Sequence, residues 1–170
     1  MILTILKETS PILRQRCEEF DFSNPPCDPI QLAKDLNDTM IAADGLGLSA
    51  NQVGLPYRVF VMRIENNEPF ALFNPKIVST SDNFIPMKEG CLSFPLLYLN
   101  VKRPDSLRVR YTDQYGDTNT QRFIGMSARI VLHEYDHMEG KVFTQAASKF
   151  EANRALRKRT ILRRRIRGED

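Results

Sequence analysis

The chain has 170 residues, 42% of them apolar and 26% charged, a balance that excludes a disordered polyelectrolyte and leaves enough apolar material for one hydrophobic core. No apolar run approaches the ~20 residues of a membrane-spanning helix, and MILTILKETSPIL lacks the basic flank of a secretory signal. The formal net charge of +3 is unevenly placed: residues 149–170 hold nine basic groups opposed by Glu151, Glu169 and Asp170, while the remainder holds 15 basic and 18 acidic groups.

A basic tail on a mildly acidic body points to an anionic partner for the tail, although a solvated terminal helix would carry the same charges. Three cysteines, Cys17, Cys27 and Cys91, have no paired spacing. A reducing, cytoplasmic setting and a single domain over residues 1–170 are therefore expected, with Cys17 and Cys27 as buried thiols.

In chain order, Asp28, Pro29 and Gln31 read as N-cap, first helical residue and capping-box partner of a helix over residues 28–43. Leu32, Leu36, Met40 and Ala43 supply its apolar face, and Gly45 its stop. Residues 57–64 read as a strand, and residues 70–73 and 76–79 as two shorter ones separated by Pro75. Leu107, Val109 and Tyr111 alternate with polar residues, and a QYGD turn leads to a partner near residues 119–123, so a hairpin is expected. A second helix is expected from an N-cap at Ser127 to a stop before Gly140. A brief strand at residues 141–143 and a terminal helix at residues 148–167 follow. One early helix, a β-rich middle and two late helices favour an α+β fold with largely antiparallel sheets.

Chemistry concentrates in three segments. The first by strength is His133-Glu134-Tyr135-Asp136-His137, which contains both histidines of the chain. Positions i and i+4 share one helical face, so both imidazoles can converge on one metal ion, with Glu134 within reach of a water on that ion. An open catalytic site needs a third protein ligand. No further histidine exists, and Glu139 stands too near His137. Cys91, in Glu89-Gly90-Cys91-Leu92-Ser93-Phe94-Pro95, offers a thiolate. The third segment, Gly45-Leu46-Gly47-Leu48-Ser49-Ala50-Asn51-Gln52, matches GxGxxA but follows a helix where a nucleotide loop would follow a strand. It instead suits backbone groups and an amide donor aimed at a substrate carbonyl.

In order and spacing, GLGLSANQVG, EGCLSFP and HEYDHMEG resemble the three motifs of peptide deformylases, which remove the N-formyl group from nascent polypeptides. The likeness runs from Pro11-Ile-Leu-Arg14 to Lys141-Val-Phe143. It implies antiparallel sheets packed around a central HExxH helix, with a C-terminal helix beside them. It implies Cys91, His133 and His137 as metal ligands, Glu134 as general base and proton shuttle, and the Gln52 amide with the Leu92 N–H as oxyanion hole. Gly47 would bind the substrate main chain, Leu46, Met126 and Ile130 would hold the methionine side chain, and Asp136 would pair with Arg103.

The resemblance further implies ferrous iron (Fe2+) as the physiological ion, with zinc, nickel or cobalt as substitutes. The implied partners are N-formylmethionyl nascent peptides and the ribosome, the latter met through Arg163, Arg164, Arg165 and Arg167, with neither membrane nor DNA engaged. On that helix, Phe150, Ala155 or Leu156, and Ile161 or Leu162 are expected to dock on the body, leaving the arginines outward. The chain departs from the usual pattern at Ser49 (commonly alanine), Leu132 (commonly glutamine) and Tyr98, near the place of a peptide-gripping arginine. Two rival readings are a zinc endopeptidase, which requires a downstream third ligand, and an RNA-binding protein with a degenerate site.

Overall fold

The computed structural model describes residues 1–64 and 69–168. Glu169 and Asp170, counted in the tail charge, lie outside the described residues. Helix α1 (Pro29–Ala42) is capped by Asp28, whose carboxylate accepts from Ile30 N–H at 2.9 Å and Gln31 N–H at 3.3 Å. Gln31 does not close a capping box; its amide donates to Asp35 one turn on. Leu32, Ala33, Leu36 and Met40 are buried by this helix. Its exit runs through Asp44 (φ 52°) rather than Gly45, which the Gly45 N–H to Met40 carbonyl bond stabilises. Arg63 holds that turn by bonds to the Asp44 carboxylate and the Gly45 carbonyl.

Strands β1 (Gly47–Ser49), β2 (Val59–Met62), β3 (Phe70–Thr80), β6 (Ser106–Thr112) and β7 (Thr118–Ile124) form one antiparallel sheet in the order β1-β2-β3-β6-β7. Strands β4 (Phe84–Cys91) and β5 (Phe94–Pro104) form a separate antiparallel pair. The expected hairpin is β6–β7. Pro75 does not divide β3. Asn74 adopts φ 47°, the register shifts between Phe73 and Lys76, and the strand absorbs a proline that cannot donate. The Asn74 side chain completes the ladder, accepting from Phe20 N–H and donating to the Phe20 carbonyl, both at 2.8 Å.

Helix α2 (Met126–Met138) carries the two histidines between the sheets, packed against β1, β2, β5 and β7. Its N-cap is Gly125 (φ 61°), not Ser127. The Ser127 hydroxyl instead donates to the Ile124 carbonyl and accepts from Ile124 N–H. Residues 141–143 form no strand; a 3-10 turn at Phe143–Gln145 places the Phe143 ring against His133. Cys17 is buried as expected, but Cys27 is exposed, in the turn-rich segment just before α1.

Helix α3 (Lys149–Arg167) is capped by the Ser148 hydroxyl, which accepts from Glu151 N–H. It docks on β5 in a way the apolar pattern does not anticipate. Ala155 packs against the apolar cluster that includes Leu97, Leu99 and Phe143, but Phe150, Leu156, Ile161 and Leu162 are exposed. The buried anchor is Arg159, whose guanidinium donates twice to the Glu8 carboxylate at 2.5 and 3.1 Å. A charge paired in two parallel bonds tolerates such burial. Among the described residues, no helix is long and apolar enough to cross a membrane.

Candidate metal centre and active-site cleft

Strand β4 ends at Cys91, and helix α2 carries His133 and His137 one turn apart. One donor atom from each lies within 4.8 Å of the other two. His137 Nε2 stands 3.3 Å from Cys91 Sγ, and the two imidazole centroids are 5.2 Å apart. One sulfur and two imidazole nitrogens suit a borderline divalent cation. The hydrogen bonding fits as well. His133 Nδ1 donates to Glu89 Oε2 at 3.0 Å, which fixes the tautomer and leaves Nε2 for an ion. Burial lowers the His137 pKa well below its usual value, so that ring is neutral and ligand-ready. His133 behaves oppositely. Burial disfavours its charge, but hydrogen bonds with Cys91 and Glu89 outweigh it and raise the pKa to about 10. Ion uptake must therefore release a proton from His133 and weaken as pH falls.

Glu89 is the hub around this centre, and sequence reasoning assigned it no role. Its buried carboxylate accepts from Arg103 Nε at 2.7 Å, Arg103 Nη2 at 3.1 Å and Arg129 Nη1 at 2.8 Å, besides His133. Burial raises the Glu89 pKa, yet the bonds from His133 and Arg103 reverse this and hold it at about 2. Its charge thus contributes stability that is present above the ordinary 4.5 and lost as pH falls toward 2. Arg103 also donates to Asp136 at 2.7 Å, tying helix α2 next to His137 to β5. Arg129 spans to the carbonyls of Val101 and Ile85. Two signals were available. Glu89 lies two residues before Cys91 on a strand, and Arg129 four before His133 on a helix, spacings that place each on its ligand's face.

Removing this hub has a defined consequence. Glu89→Gln leaves Arg103 and Arg129 buried against a neutral amide, and is expected to destabilise the fold by about 3 kcal/mol. It should also weaken ion affinity about 10-fold to 100-fold, as loss of a ligand-orienting partner does. Denaturant unfolding and an ion titration measure the two effects, and wild-type values in both would remove Glu89 from this role.

A cleft of about 470 Å³ opens over the centre. Its walls include Leu46, Gly47, Gln52, Cys91, Leu92, Met126, Ile130, His133 and Glu134. Ile130 is buried at its depth, while Leu46 and Met126 are about half exposed at its mouth. Gly47 is there for space: a Cβ on it would come within 2.5 Å of Glu134 Oε1. Glu134 is buried, and its Oε2 has no hydrogen-bond partner among the described residues. Burial, the largest influence, pushes its carboxyl pKa up to about 7, the range a general base needs at neutral pH.

Gln52 sits in a 3-10 turn, Ala50–Val53, directly after β1. Ser49 N–H donates to Gln52 Oε1 at 3.0 Å, which orients the amide so that Nε2 faces Ser93 Oγ (3.1 Å) and Cys91 Sγ (3.5 Å). The Asn51 amide donates to the His137 carbonyl at 2.8 Å, joining this turn to the ligand helix. Ser49, where alanine is usual, adds a hydroxyl 3.0 Å from Gln52 Oε1 and 2.8 Å from Asn51 Oδ1. Leu132 is buried in the apolar cluster beneath α2, and Tyr98 is exposed on the cleft rim with Lys88 over its ring. Glu139 is occupied elsewhere, pairing with Arg58 and Arg16.

Residues 2–153 match the family model described as polypeptide deformylase. A peptide deformylase of Maricaulis maris is 38% identical over 161 residues, which span 92% of this chain and 91% of the relative. Among solved structures, a peptide deformylase from Synechococcus elongatus in complex with actinonin superposes with a TM-score of 0.86. It is 34% identical and is matched over 93% of this chain and 86% of that one. A peptide deformylase from Legionella pneumophila gives a TM-score of 0.84 at 32% identity, with 100% of this chain and 99% of that chain covered.

Proposed function

The chain belongs to the peptide deformylase family, and from that premise we propose how its own residues remove the formyl group from the N-terminal methionine of nascent polypeptides. The reaction is hydrolysis of a formyl amide, giving formate and a free amine. The observation that carries the account is the convergence of Cys91, His133 and His137 beside a buried carboxylate, Glu134, with an unpartnered oxygen. These three residues would hold one divalent ion. When bound there, such an ion lowers the pKa of a water in its open position to about 7 and polarises the formyl carbonyl. Ferrous iron is the physiological ion in this reading, with zinc, nickel or cobalt able to replace it.

Glu134 takes the proton of the attacking water and later delivers it to the leaving amine. The Gln52 amide and the Leu92 N–H donate to the carbonyl oxygen as negative charge develops. Strand β1 supports substrate alignment: among the described residues it is an edge strand paired only with β2, so its second edge at Gly47 can accept the peptide main chain. Ile130, with Leu46 and Met126 at the mouth, encloses the methionine side chain. Arg103, Asp136, Glu89 and Arg129 hold the ligand helix against the β4–β5 pair. Residues 1–170 act as a single domain in this account, working in the cytoplasm.

Formate release from formyl-Met-Ala-Ser, with ion content measured on the same anaerobic sample, tests the account directly. No turnover by ion-loaded protein would refute it. Gln52→Leu is expected to lower kcat and kcat/KM by similar factors of about 100 to 1000, because the amide acts on developing charge. A raised KM at unchanged kcat would instead make Gln52 a substrate-binding group.

The basic helix α3 supports association with the ribosome, whose phosphate-rich surface suits arginine. Neutralising the exposed Arg157, Lys158 and Arg164 should weaken ribosome co-sedimentation at low salt and leave short-peptide turnover unchanged. Equal sedimentation by both proteins across a salt titration would exclude the contact.

A further inference from the structure

Ser49, Asn51 and Gln52 stand together where β1 passes into the 3-10 turn, each at most 1% exposed. At such burial a polar atom needs a protein partner. Two acceptors here are fixed in sense. Asn51 Nδ2 donates to the His137 carbonyl, so Asn51 Oδ1 is the atom turned toward Ser49. Ser49 N–H donates to Gln52 Oε1, so exchanging that oxygen with Nε2 would set donor against donor. The Ser49 hydroxyl lies 2.8 Å from Asn51 Oδ1 and 3.0 Å from Gln52 Oε1. Its single proton is shared by both oxygens in a three-centre bond. Among the described residues, no other side chain donates to either one. A continuous chain of contacts results, running from the His137 carbonyl through Asn51, Ser49 and Gln52 to Cys91 Sγ. Gln52 Nε2 carries two protons. Ser93 Oγ meets one at 3.1 Å, and the other is left for the Cys91 side, at 3.5 Å, where the metal centre and the cleft lie.

We infer that Ser49 is a positioning residue for deformylation: its hydroxyl, with Asn51, locks the Gln52 amide to the ligand helix so that Nε2, not Oε1, meets the developing oxyanion. The inference rests on the reading of Gln52 as an oxyanion donor. Ser49 touches no substrate in this account and acts through Gln52. An amide turned over would present Oε1 to the anionic oxygen, replacing attraction by repulsion where charge is forming. Ser49 N–H opposes that turn with one bond, and the hydroxyl adds a second. With alanine at this position the second bond is lost, and Asn51 Oδ1 is left buried without its donor. Asn51 can then regain a partner only by giving up its bond to the His137 carbonyl. The need for a hydroxyl is thus set by Asn51 two residues on, which makes the pair a feature of this chain. The hold on the ground-state peptide does not change, so the loss falls on kcat and not on KM.

The test is a double-mutant cycle on the ion-loaded protein, with formyl-Met-Ala-Ser as substrate and kcat counted per bound ion. Ser49→Ala should lower kcat about 5-fold to 10-fold, the worth of one hydrogen bond, and leave KM within about twofold of wild type. Introduced into Gln52→Leu, the same change should cost less than about twofold, because the amide it orients is already gone. A Ser49 that merely supports the fold would cost the same factor in both backgrounds, and that result would overturn the proposal. An unchanged kcat in Ser49→Ala would overturn it as well, as would a raised KM at unchanged kcat. The two readings fail separately. A wild-type kcat in Gln52→Leu would overturn the oxyanion role of Gln52 and the positioning role with it. A lowered kcat in Gln52→Leu beside an unchanged one in Ser49→Ala would overturn the positioning role alone.

Discussion

Glu134→Gln is expected to lower kcat/KM about a thousandfold while the protein keeps its fold and its capacity for one divalent ion. The amide matches the carboxylate in shape, and Glu134 is not among the three converging donors, so ion content should not change. What disappears is proton acceptance. Burial raises the Glu134 pKa from 4.5 to about 7, so the group exchanges a proton near neutrality, where the proposed water attack and amine departure would both require it. The sign with pH follows, because a base acts only when ionised. The wild-type rate should fall as acid titrates Glu134, with an acidic limb above the ordinary 4.5, and the variant should lack that limb. Steady-state formate release across pH, together with metal analysis, measures both. Activity within tenfold of wild type, with the ion retained, would take the base role away from Glu134.

Cys91→Ser should cost more in ion affinity than any change outside the donor set. A hydroxyl is harder and far less acidic than a thiol, so the site loses its anionic sulfur donor and, with it, affinity for borderline ions. Removing an orienting partner alone costs about 10-fold to 100-fold in affinity or activity; losing the ligand itself should exceed about 100-fold in both. The fold has little reason to suffer, since Cys91 is only partly buried and closes no disulfide. Ion titration, formate release and thermal unfolding separate these outcomes. Full ion occupancy and turnover in Cys91→Ser would show that another donor completes the site.

Much of this was legible in one dimension because the signals were local. The i, i+4 spacing of His133 and His137 converges on one face of any helix, whatever surrounds it. The alternation of Leu107, Val109 and Tyr111 likewise marks one face of β6, and Asp28 with Pro29 starts α1 by backbone chemistry within one turn. The β4–β5 pair was missed even though Leu97, Leu99, Val101 and Arg103 alternate inward, because a buried arginine and two prolines mask the period. Pro75 misled in the other direction, since the shift that accommodates it depends on Asn74 meeting Phe20 across 54 residues.

The amino-acid sequence by itself therefore determined the helix that carries the histidines, the α+β class and the identities of the chemical groups. Tertiary structure alone decided which groups act together. Nothing local says that Glu89 answers His133, Arg103 and Arg129 at once, that Gly47 leaves room for Glu134, or that Arg159 is buried against Glu8. A buried charge is tolerable only when its partners arrive from other elements. Those partners lie 14 to 151 residues away along the chain, so their selection becomes visible only once the chain has folded.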